Sequence, residues 1–254
     1  MWMKSYLINE MEAFESYSQA ISDKLIAAFG QKSKIQTASN WVADSLEAEG
    51  WIYTTGTGHS HLLAEEIFYR AGGFARVIPI LDPALMLHEN ASKSTEVERI
   101  EGYAAKLLSE YRISSADVFL ISSNSGRNSV SIEMAQLAKA AGAKVICITN
   151  IKHSKAVSSR HSSGLKLYEI CDLYLDNFGE IGDAGIALKG LNTKVGATST
   201  VIGAALLQAI MVQSAQNLLD RGIKPELFSS SNADEGEELN QVLTEKYRAL
   251  VKSI

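Results

Sequence analysis

Residues 117–150 read DVFLISSNSGRNSVSIEMAQLAKAAGAKVICITN, and the order of residue types within them decides the fold. A short apolar run, 118–122, leads into eight residues, 122–129, rich in hydroxyls and amides. A helical pattern over 129–141 comes next, and Gly142 stands where a C-cap glycine belongs. A second apolar run, 144–149, closes the unit. Neither run alternates polar with apolar residues. Strands of that kind are covered on both faces, as in a parallel sheet.

The same alternation extends outward. Residues 51–55, ended by Gly56, 76–81 and 173–176 are further β-prone runs. Helical patterns lie between most of them, notably over 61–71. Upstream, Leu7, Met11, Phe14, Ala20, Ile21 and Leu25 repeat at helical spacing, and a second helical stretch covers 34–49. Downstream, a long helix is expected over 198–221, stopped by Gly222 and Pro225, and a last one over 234–252. The expected fold is α/β: a three-layer sandwich with a five-stranded parallel sheet of order 2-1-3-4-5, flavodoxin-like, with helices on both faces. Residues 1–254 read as one domain, with a core over about 35–221 and helical extensions at both ends. No linker or repeat divides the chain.

Composition excludes several functions. Charges sum to 24 − 29 = −5 over 254 residues, with 18 glycines and 3 prolines. An acidic chain without a basic block is not built for nucleic acid. No uncharged apolar stretch reaches the ~20 residues of a membrane span, and the acidic start does not read as a signal peptide, so a cytoplasmic protein is expected. Cys147 and Cys171 sit in apolar runs and read as buried thiols rather than a disulfide or metal site.

Two loops carry the chemistry. Gly56-Thr57-Gly58-His59-Ser60-His61 lies between a strand and a helix. It resembles half of a dinucleotide fingerprint, although His61 replaces the third glycine. Asp82, after the next strand, keeps the dinucleotide reading open. The second loop, 122–129, packs six hydroxyl or amide side chains around one glycine at a helix start. Capping explains one or two of them. Six exceed what a cap needs, and donors of this kind match phosphate oxygens, which only accept. In the expected sheet the loops follow adjacent strands and meet at the topological switch point, where ligands bind.

Residues 117–150 and the stretch IYTTGTGHSHLLAEEIFYRAGG, 52–73, resemble the SIS (sugar isomerase) domain family of phosphosugar-binding proteins. The likeness runs over about 50–216 and is greatest to stand-alone members related to phosphoheptose isomerase and the muramic acid phosphate etherases. It implies that Ser60, Ser123, Ser125 and Asn128 hold a phosphate, with backbone groups of Asn124 and Gly126. Thr57, Gly58 and His59 join the same pocket. In phosphoheptose isomerase the second acid of an Ala-Glu-Glu stretch is catalytic or metal-ligating, and Ala64-Glu65-Glu66 matches. That relative also uses a histidine on the late helix. The helix here has none, which separates this chain from that activity and its metal.

The expected activity is therefore aldose–ketose isomerisation of a sugar phosphate through an enediol. Glu66, His88 and Glu98 are the acid–base candidates in that order. Each has a plainer reading: a solvated helical acid, a surface loop histidine, and an acid at a helix N-terminus. Ser199 and Thr200, at the late helix start, can touch the sugar or simply cap. Lysis or deglycation of an amino sugar phosphate, and a non-catalytic phosphosugar sensor, are the alternatives. No cofactor or metal is expected, and no membrane or nucleic-acid partner. A homo-oligomer with sites near the subunit interface is expected from the apolar terminal helices and from the resemblance.

Overall fold

The computed structural model describes residues 11–232, 236–251, 253 and 254. Leu7, and the expected limits of the last helix at Asp234 and Lys252, lie outside the described residues. Ten helices and seven strands are described: α1 Ala13–Phe29, α2 Lys32–Glu47, β1 Ile52–Gly56, α3 His61–Glu66, β2 Val77–Ile80, α4 Leu87–Val97, α5 Tyr103–Leu108, β3 Val118–Ser122, α6 Ser129–Ala140, β4 Lys144–Thr149, α7 Ile151–Ala156, α8 Leu167–Ile170, β5 Leu173–Asp176, β6 Ala184–Ile186, β7 Val195–Ala197, α9 Ser199–Asp220 and α10 Gly236–Tyr247.

Five strands form one parallel sheet in the order β2-β1-β3-β4-β5, as expected. Strands β3, β4 and β5 begin and end at the residues the apolar runs mark. Both sheet faces are buried, so each strand feeds two cores. In β3, Val118 and Leu120 pack with Leu206 and Ile210 of α9 and Val42 of α2. Phe119 and Ile121 pack with Val130 and Met134 of α6 and Leu108 of α5. A strand with no solvated face has no reason to alternate, which is why the run looks continuous. Gly142 ends α6 as expected: its N–H reaches Lys139 O, and the next N–H reaches Ala138 O.

Several expectations need correction. The helix expected over 61–71 stops at Glu66. Gly72 N–H donates to Phe228 O, Ala75 N–H to Glu226 O, and Phe228 N–H to Gly73 O, so pairing with 226–228 draws the chain out of the helix. The antiparallel β6–β7 pair has strands of three residues, too short to show a period. α9 does meet the length and hydropathy of a membrane span, with mean hydropathy 1.3. Here Ile202, Leu206, Leu207 and Ile210 bury its face against the sheet. Cys147 is fully buried, but Cys171, leading into edge strand β5, is only half-buried; their free thiols lie 3.2 Å apart.

Candidate functional site

The loops after β1 and β3 lie side by side, because Gly56 is paired with Ser122 at the carboxyl ends of these strands. The first loop folds back onto its own strand. A Cβ on Gly56 would stand 2.3 Å from Ser60 O, so only glycine admits this turn. A 3-10 turn, Gly58–Ser60, leads into α3.

The second loop is braced from outside. Ser123 N–H donates to Ile148 O of β4. Asn124 O accepts from Asn150 N–H at 3.0 Å and from the Thr149 hydroxyl at 3.3 Å. Asn124 Oδ1 accepts from Asn177 Nδ2 at 3.0 Å. Gly126 adopts φ +57° against Leu167, whose N–H donates to Gly126 O at 2.9 Å. Asn128 Oδ1 accepts from the Arg160 guanidinium at 2.9 Å. Gly126 was expected to offer its N–H to a ligand; instead it donates to Ser123 Oγ at 3.2 Å. The N–H groups of Asn124, Ser125, Arg127 and Asn128 have no acceptor among the described residues. They stand at the positive end of α6.

Between the loops lies a narrow cleft of about 10 Å³, lined by Ser60, Ser122, Ser123 and Asn124, with Asn177 beyond β5 and Ser199 and Thr200 of α9. The structure thus brings Ser60, Ser123 and Asn124 together. Ser125, Gly126 and Asn128 share the loop but lie outside this lining. Thr57 is buried and its hydroxyl donates to Glu98 Oε2 at 2.6 Å; Gly58 is in the turn and His59 is exposed. Asp183 fixes the start of α9, accepting from Ser199 N–H at 2.9 Å and Ser199 Oγ at 2.6 Å. A larger cavity of about 330 Å³ opens near Trp51, Tyr53 and Val251, at the opposite ends of the strands.

The acid–base candidates separate. Glu66 is paired with Arg70 at 2.5 Å and accepts from Gln208 Nε2 at 3.0 Å. His88 is an exposed residue of the first turn of α4. Glu98 does not open a helix, as the sequence suggested, but caps the carboxyl end of α4. Its backbone O accepts from Val130 N–H of α6 while its carboxylate holds Thr57, so it sits between the two loops. His61 is buried, and neither ring nitrogen is hydrogen-bonded. Burial holds its pKa below the ordinary value, and Glu65 opposes that shift only partly. Asp82 is not free for a ribose: it caps the Pro83–Leu85 turn through Ala84 N–H and accepts from Tyr103 OH at 2.6 Å.

Among the described residues, Glu101, Glu133 and His161 place ligand atoms within 4.8 Å of one another and could hold a metal. Glu101 already accepts from Ser162 N–H and Oγ, and Glu133 from Gly102 N–H, so the group also braces two turns. Sequence reasoning singled out neither Ser122 nor Arg160. Ser122 stood in the quoted loop and was passed over for its neighbours. Arg160 gave no local signal.

A family model described as the SIS domain matches residues 13–150, more than half of the chain. A UPF0309 protein of Halalkalibacterium halodurans is 45% identical over 217 residues, covering 85% of this chain and 90% of its own. One from Geobacillus thermodenitrificans is 40% identical over 235 residues, covering 92% and 94%. Among solved structures, a phosphoheptose isomerase from Francisella tularensis aligns with TM-score 0.52 at 17% identity, over 80% of this chain and 96% of that one. At that identity the likeness establishes the shared fold alone. The sheet order, the switch-point loops and the extent of these matches agree: the chain belongs to the SIS domain family.

Proposed function

We propose that the cleft binds the phosphate of a phosphorylated sugar, and that the chain interconverts aldose and ketose forms of that sugar through an enediol. The observation that carries the binding is the meeting of the Ser60, Ser122 and Ser123 side chains with Asn124, whose N–H is free, on a loop where the N–H groups of Ser125, Arg127 and Asn128 also lack acceptors among the described residues. Phosphate oxygens accept only, so such donors, with the hydroxyls of Ser60, Ser122 and Ser123, suit them without a large basic patch.

Glu98 is the leading base. It alone of the three candidates lies between the loops, and its counterparts Glu66 and His88 are respectively ion-paired and exposed. In the proposed reaction a carboxylate removes the C2 proton of the open-chain aldose and returns it to C1 of the enediol. The phosphate anchors the substrate so that its binding energy positions the carbons. A cytoplasmic homo-oligomer belongs to the same proposal. Exposed Leu62 on α3 and Val201 and Val212 on α9, at 48%, 45% and 70%, give a second copy an apolar surface to cover.

Calorimetric titration with aldose 5- and 6-phosphates and their parent sugars tests the binding. The phosphates are expected to bind and the free sugars not. Replacing Ser123 and Ser125 together by Ala is expected to weaken binding on the order of tenfold. Equal affinity for sugar and sugar phosphate would sink the proposal. Isomer interconversion, followed by NMR, is expected in the parent protein and not in Glu98→Gln.

A further inference from the structure

Of the eight arginines of this chain, Arg99, Arg112, Arg127, Arg160 and Arg248 make no ion pair among the described residues. Arg70 pairs with Glu66, Arg76 with Glu226, and Arg221 with both Asp44 and Glu47. Arg99, Arg127 and Arg160 lie together at the rim of the candidate site. The Arg160 guanidinium donates to Asn128 Oδ1 at 2.9 Å, and Arg160 N–H donates to Arg127 O at 2.8 Å. The Arg127 guanidinium has one neutral acceptor, Ser158 Oγ at 3.4 Å, and its Nε is buried with no partner. The charges acting on Arg160 are those of Arg127 and Arg99, opposed by Glu98.

Glu98, Glu101 and Glu133 stand nearby, but Glu101 accepts from Ser162 and Glu133 from Gly102, and none makes an ion pair with these guanidinium groups. A buried guanidinium N–H without an acceptor opposes folding, so the placing of Arg127 is explained by a ligand rather than by the fold. None of the three arginines lines the cleft that would hold the phosphate. They stand further out, and Arg160 is tied to the second loop through Asn128.

Resting on the phosphosugar reading above, we propose that Arg99, Arg127 and Arg160 receive a second anionic group on the same ligand. The substrate class is then a sugar phosphate that also carries a carboxylate or a second phosphoryl group. The planar guanidinium fork suits both groups, and the rim selects against sugar phosphates with one anionic group.

Two matched pairs of ligands, titrated at fixed ionic strength, test this. Glucitol 6-phosphate against 6-phosphogluconate isolates the carboxylate; fructose 6-phosphate against fructose 1,6-bisphosphate isolates the second phosphoryl group. In at least one pair the doubly anionic member is expected to bind about tenfold more tightly, the effect of one charge-assisted contact. Arg127→Gln and Arg160→Gln are expected to bring that ratio close to one. Arg99→Gln, at an exposed side chain, is expected to lower the ratio while leaving the singly anionic member nearly unchanged. Ratios near one for both pairs in the parent protein would overturn the proposal. So would variants that weaken both members of a pair equally, since the arginines would then be holding the first phosphate. Failure of all four ligands to bind would instead remove the phosphosugar reading, and this inference with it.

Discussion

The two ends of the central sheet treat polar groups in opposite ways. At the amino end they are matched inside the protein. Asp117, buried just before β3, accepts from Trp51 N–H at 2.8 Å and from Ser114 N–H and Oγ at 2.7 and 2.9 Å. Arg76 donates to Tyr247 OH and lies over the Trp51 ring, while Glu226 pairs with Lys246. At the carboxyl end, four N–H groups lack acceptors, three arginines make no ion pair, and neither ring nitrogen of buried His61 is hydrogen-bonded, although Glu65 stands 3.4 Å from Nδ1. Buried polar groups are normally satisfied. An end where they are satisfied maintains the fold, and an end where several are not is shaped for something else.

The sharpest way to break that division is Asp117→Ala. It leaves two backbone N–H groups unpaired and is expected to lower the unfolding free energy by about 3 kcal/mol in urea titrations. Ligand affinity of the folded fraction is expected to stay the same. Weakened affinity there would mean that the ends are not independent.

Gly126→Ala probes the other end. The φ of +57° and a new Cβ 3.1 Å from Leu167 Cβ are expected to cost about 1–2 kcal/mol. Sugar phosphate binding is expected to fall on the order of tenfold, because the donor row moves with the loop. An unchanged affinity would separate the loop from the binding site.

The smallest effect is in pH. Because burial lowers the His61 pKa, the unfolded imidazole takes up a proton below pH 6.5 that the folded one resists. Stability is therefore expected to decline as pH falls below 6.5, and His61→Leu to flatten part of that slope. Some slope persists, since burial lowers His153 in the same direction. Glu180 acts in a separate window. Hydrogen bonds from Lys152 and Lys24 hold its pKa down to about 2, so its stabilisation is complete above 4.5 and is lost as pH falls towards 2. A slope that His61→Leu leaves unchanged would place the titrating group elsewhere.

Not all of this was legible in the residues. Strands β3, β4 and β5 were, because a β-branched apolar run covered on both faces has one solution. The end of α3 was not, because its tail pairs with residues 226–228, and no local propensity records that distant partner. The second loop announced itself by six hydroxyl or amide side chains in eight positions. Its bracing did not: Asn177 lies 53 residues from Asn124, and Arg160 lies 32 from Asn128. Glu98 was noticed but placed at the wrong end of a helix, because α4 has a kink at Asn90 and its period reads poorly.

The sequence by itself determined the strand–helix alternation and the two polar loops after the first and third strands, since these follow from local periodicity and glycine placement. Tertiary structure alone decided which donors remain free, which acid stands between the loops and which arginines go unpaired. Each of those depends on the partners a polar group meets after the chain has folded, and such partners lie tens of residues away.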